Sequence, residues 1–208
     1  MGRANLSLFP MESFEPMVGR RSQIYAAVGG GGVLHDYDSQ VNIYPFVIRT
    51  MAEFHLSHLT SKRNTYLLAT NLTPLASFLF ARFFPCVHPF PGRKNPAFEK
   101  LRYELISTLY PKSVEEYESR GLFSGPKPPH APPAIRTDNP LLASYVELHG
   151  NWREGDRLPM LVRMSKNDLK KTAYTYFTMQ LAKRTGRYNP ARVSPYRLLE
   201  LLSPWSRS

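Results

Sequence analysis

The sequence predicts a mainly α-helical protein, with several short helices joined by proline-rich extended segments. One apolar stretch is long enough for a single transmembrane helix or a buried, kinked one. Three observations lead to this expectation. Proline is abundant, at 19 of 208 residues, and it breaks helices and central strands alike. Helix caps recur along the chain, each followed by apolar residues at helical spacing. Residues 66–84 carry one charged side chain, Arg82, near their end.

The pattern divides the chain into four regions. Residues 1–40 read as an irregular N-terminal arm, because Pro10, Pro16 and the run Gly29–Gly32 interrupt any periodicity. Four consecutive glycines are entropically costly to order, so they read as a hinge. Without a following lysine they do not form a phosphate-cradling loop. Residues 41–123 read as a helical region. A first helix begins near Pro45, places Val47, Met51, Phe54 and His58 on one face, and ends near Asn64.

The apolar segment 66–84 follows. As a span or half-span, it would pack through Leu67, Leu68, Asn71, Pro74, Phe78 and Phe80 against neighbouring helices in a membrane complex. Otherwise it is a core helix kinked at Pro74. After a proline-rich connector, Asn95-Pro96 marks a helix start, with Phe98, Leu101, Leu105 and Leu109 at helical spacing and Pro111 as its stop. Ser113–Glu116 is a capping box for a short helix ending at Gly121.

Residues 124–140 contain six prolines and read as an extended linker. Residues 141–208 form a basic C-terminal module. In it, 141–148 suits a short helix or strand, and 158–164 suits a strand. Ser165–Asp168 is a capping box for a helix reaching about Arg184, and Ser194-Pro195 opens a last short helix.

Charge is concentrated in this module. The chain carries a formal +11, yet residues 157–208 alone hold eleven basic side chains against Asp168 and Glu200. Such a block favours an anionic partner. The residues expected to meet it, through phosphates of RNA or a lipid head group, are Lys166, Lys170, Lys171, Lys183, Arg184, Arg187, Arg192 and Arg197. Interleaved Tyr174, Tyr176, Phe177 and Tyr188 supply planar surfaces on which unpaired bases stack.

Signs of chemistry are sparse. His55 and His58 are spaced for one helix face but lack the third and fourth ligands of a zinc site. Asp36 and Asp38 lack the further oxygens of a calcium loop. Cys86, the single cysteine, cannot form an internal disulfide, and its apolar surroundings favour an inert thiol. The expectation is therefore a protein that is not an enzyme, with no catalytic residues, cofactor, metal or small-molecule substrate.

Two functions fit this reading. The first is a structural accessory subunit of a large mitochondrial inner-membrane complex of respiratory-chain or ATP-synthase type, packed against larger subunits and in contact with an anionic lipid such as cardiolipin. The alternative is a mitochondrial ribosomal protein in the matrix that binds rRNA through residues 157–208.

Overall fold

The structure is a computed structural model. It describes residues 2–16, 18–33, 64–71, 73–127, 135 and 138–165, together with helical positions 167, 168, 170–172, 174, 175 and 178. Five strands form one mixed sheet: β1 (Gly2–Glu15), β2 (Arg20–Val33), β3 (Asn64–Asn71), β4 (Val87–His88) and β5 (Leu158–Arg163), in the order β1-β2-β3-β5-β4. Neighbours pair antiparallel except β2 with β3, which run parallel. Among the described residues, four α-helices with defined bounds accompany the sheet, α1 (Pro74–Phe83), α2 (Pro96–Leu109), α3 (Val114–Arg120) and α4 (Pro140–Leu148), and further helical positions follow β5. The fold is mixed α and β, not mainly α.

The first correction concerns the N-terminal arm. Residues 2–33 form a long hairpin that turns through Gly19, whose φ is +69°. Gly29–Gly32 lie inside β2, opposite Leu6 to Arg3. Glycine has low strand propensity because it packs no side chain, but an extended backbone is open to it once a partner strand supplies the ladder. Pro10 is tolerated for a related reason. The Phe14 backbone N–H points away from β2 and donates to Glu104 Oε2 at 2.9 Å. Pro10 shares its parity, so the donor that proline lacks would face the sheet edge and not the ladder.

The second correction concerns residues 66–84. Tyr66 to Asn71 belong to β3, and the chain then turns into α1. Leu67 and Leu68 are both buried, on opposite faces of the sheet. A strand covered on both faces is apolar at every position and so shows no period of two. Pro74 does not kink a helix; it occupies the first turn of α1, capped by Thr73 Oγ1, which accepts from the Ala76 N–H at 3.2 Å. Phe78 and Phe80 are half-buried on α1. Among the described residues no helix is long and apolar enough to cross a membrane. The observation that favoured a membrane-embedded subunit is therefore gone.

Other expectations are met. Asn95 Oδ1 accepts from the Phe98 N–H at 3.2 Å at the start of α2, and Gly121 ends α3 with φ +69°. Residues 158–163 form β5, and 140–148 resolve the helix-or-strand choice as α4. Ser113 makes no side-chain cap; Glu116 instead accepts from the Ser124 N–H at 2.9 Å. The helices expected near Pro45 and Ser194, both histidines at 55 and 58, Asp36, Asp38 and most of the 124–140 linker lie outside the described residues.

The core has two sheet faces. On one, Ile24, Ala26, Tyr66, Leu68 and Leu161 pack beneath Phe98, Leu101, Leu105 and Ile106 of α2 and Tyr117 of α3. On the other, Ala27, Leu67, Ala69 and Val162 pack against Phe83 and Phe84. A third cluster of Ala81, Tyr145, Leu158 and Met160 joins α4 to α1. Cys86 packs at the rim of the first face, and burial pushes its thiol up to about 11. At pH 8 only about a thousandth of it is thiolate, the reactive form. An aromatic disulfide reagent should therefore label Cys86 slowly in the folded protein, about tenfold faster per added pH unit, and promptly in denaturant. Equal rates in both states would contradict the burial.

Candidate functional site

The cationic module enters the described fold at the end of β5. The Arg163 guanidinium donates to Asp168 through Nε at 2.6 Å and a second nitrogen at 2.9 Å. Ser165 adds its backbone N–H at 3.2 Å and its hydroxyl at 2.5 Å, and the Asp168 N–H returns a bond to Ser165 Oγ at 3.2 Å. This is the reciprocal capping box the sequence announces. Burial works against charge on Asp168, but Arg163 and Ser165 outweigh it and hold the carboxyl below its ordinary range.

One turn later the Thr172 hydroxyl lies 3.0 Å from the Phe83 carbonyl and 2.9 Å from that of Asp168. The helix is thus fixed to the sheet end and to the last turn of α1. Its inward face is Asp168, Thr172 and Thr175, all buried, at the spacing of one helix stripe. Its outward face is Asn167, Lys170, Lys171 and Tyr174, all exposed, with Tyr174 49% exposed. The charges and a planar ring are presented together. Lys166, Lys183, Arg184, Arg187, Arg192 and Arg197 lie outside the described residues.

Two further polar clusters are invisible in the sequence, one in the interior and one half-exposed. Ser77 Oγ lies 2.7 Å from His149 Nε2 and accepts from Asn71 Nδ2 at 3.1 Å. Ser77 and His149 are both fully buried, and His149 Nδ1 has no partner among the described residues. A serine beside an imidazole is the start of a nucleophile–base pair. Here, however, the nearby Asp156 carboxylate is engaged by Arg120 at 2.6 Å and the Asn151 N–H at 2.9 Å. Within the described fold the pair joins α1 to the end of α4, and nothing exposes the hydroxyl to a substrate. The only signal in the sequence was Asn71 and Ser77 as polar interruptions of an apolar run, the kind of group that needs a buried partner.

The other cluster centres on Glu99. His88 Nε2 lies 2.5 Å from its carboxylate; Arg102 donates to both oxygens at 2.7 and 2.8 Å, and Tyr117 donates at 2.8 Å. It braces β4, α2 and α3. Among the described residues no group of three or more His, Cys, Asp or Glu side chains is placed to hold a metal ion.

Compared with protein-family models, curated proteins and solved structures, the chain matches none. No relative supports assignment to a respiratory or ATP-synthase complex of the mitochondrion.

Proposed function

We propose that the protein is a non-catalytic binding module that engages RNA through the outward face of the helix following β5. The single observation that carries this reading is the division of that helix into two faces. Asp168 is the sole acidic residue between 157 and 199, and it is turned inward and neutralised by Arg163. Lys170 and Lys171 therefore have no counter-charge from their own helix, and phosphates are the complement to such a field. Tyr174, one turn beyond Lys170, adds a planar ring on which an unpaired base stacks.

The test is a fluorescence-anisotropy titration of the full chain with labelled single-stranded RNA. The double variant Lys170→Glu, Lys171→Glu is expected to weaken binding at least tenfold at low salt. It should also reduce the salt slope by roughly 1.4, since each phosphate contact on a single strand contributes about 0.7. Tyr174→Ala should cost about fivefold, the low end of one stacked base. RNA affinity unchanged by the lysine reversals would overturn the proposal.

A further inference from the structure

The register places two sequence-distant basic groups at the same end of the sheet. Ile24 pairs with Asn64, and the Thr65 carbonyl accepts from the Met164 N–H at 2.8 Å. Residues 24, 64 and 164 to 165 therefore mark one boundary across β2, β3 and β5. The lysine-bearing helix starts at that boundary. The tip of the β1–β2 hairpin passes beyond it, with Arg20 and Arg21 opposite Glu15 and Phe14 of β1.

Both arginines are exposed, Arg21 at 62% of its side chain. Lys100 of α2 lies over the Phe14 ring, 4.5 Å from its centroid, and adds a third cation. The neighbouring carboxylates are Glu15, Glu104 and Glu12. Glu15, opposite Arg20 in the ladder, is buried and accepts from Asn64 Nδ2 at 2.5 Å and from the Tyr66 hydroxyl. Glu104 accepts from Ser13 at 2.7 Å and from the Phe14 N–H at 2.9 Å, and stands 3.6 Å from Arg21. Glu12 is exposed, opposite Gln23.

We propose that single-stranded RNA bound on the Lys170–Lys171–Tyr174 face continues across this end of the sheet to the Arg20–Arg21 hairpin tip. This rests on the RNA reading of the lysine face. Two inter-strand steps separate β2 from β5, about 10 Å. The hairpin overhang of three to four residues adds about 10–13 Å in the strand direction. Such a path needs several nucleotides, so the arginines should matter only for a ligand long enough to reach them.

The experiment titrates the full chain with oligouridines of four and of twelve nucleotides. The variant Arg20→Ser, Arg21→Ser is expected to weaken twelve-mer binding about tenfold at low salt, to lower its salt slope by roughly 1.4, and to leave four-mer binding at the native level. The conservative variant Arg20→Lys, Arg21→Lys should bind the twelve-mer like the native chain, which separates loss of charge from loss of fold. Native twelve-mer affinity in the serine variant, with the lysine reversals still damaging, overturns the hairpin contact alone. Equal loss on both lengths also overturns it. Failure of the native chain to bind either RNA, or binding to phosphatidylglycerol vesicles and not RNA, overturns the reading beneath it as well.

Discussion

Replacing Glu99 with alanine is expected to destabilise the folded protein by about 2–3 kcal/mol, a large share of the 5–15 kcal/mol typical of a domain. The carboxylate is the common acceptor for Arg102, His88 and Tyr117. Arg102 is 8% exposed at its side chain, its Nε has no hydrogen-bond partner among the described residues, and its guanidinium also donates to the Pro159 carbonyl at 3.2 Å. Removing Glu99 leaves that guanidinium buried beside a neutral tyrosine and a single carbonyl. Breaking a buried pair costs about 3–5 kcal/mol. The Glu99 side chain is 45% exposed, so solvent screens part of the attraction and the expected figure is set below that range. Burial raises the Glu99 pKa, but His88, Arg102 and Tyr117 together bring it down to about 2. Its folded value thus lies below its unfolded one. The stabilisation is present in full above pH 4.5 and is lost as pH falls toward 2. Urea unfolding of the native chain and Glu99→Ala at pH 7 and pH 3 measures both effects. A difference under about 0.5 kcal/mol at pH 7 would reduce the cluster to an ordinary surface pair.

What was legible in the sequence was local. Asn95-Pro96, Ser165–Asp168 and Gly121 announce helix ends because a cap is made within four residues of itself. Strand β5 was legible as a short apolar run. The hairpin was not, because Pro10 and Gly29–Gly32 are breakers by local chemistry, and their order comes from a partner strand as much as 29 residues away. Segment 66–84 was misread because a doubly covered strand and a helix are both apolar, and length alone joined them. Thr73-Pro74, a cap and a first-turn proline, marks the boundary between the two. The candidate site divides the same way. Lys170 and Lys171 were visible as charge, but which way they face depends on Thr172 reaching Phe83 and Asp168 reaching Arg163. That Arg20 and Arg21 lie at the same sheet end follows only from strand register.

Acidification from pH 6.5 to pH 5 is expected to remove about 2 kcal/mol of stability through one residue, His149. The imidazole is fully buried where α4 ends, held at Nε2 by Ser77, and its Nδ1 meets no acceptor among the described residues. A proton on that ring would be a buried charge without a paired counter-ion, because Asp156 is committed to Arg120 and the Asn151 N–H. Burial therefore pulls the pKa down to about 4, against a smaller opposing pull from Asp156. For a base the sign is the reverse of the usual ion-paired histidine. The unfolded chain takes up the proton near pH 6.5 and the folded chain only near 4. Stability is complete above 6.5 and falls by about 1.4 kcal/mol per pH unit inside that window. Glu99, whose carboxyl titrates below 4.5 in either state, contributes little above pH 5. His149→Gln keeps a hydrogen-bonding group for Ser77 without a titrating one, so it should flatten the slope between pH 6.5 and 5 at some cost in stability at pH 7. Urea unfolding of the two chains at pH 7, 6 and 5 decides it. A slope as steep in the glutamine variant as in the native chain would place the proton uptake elsewhere and remove His149 from the account.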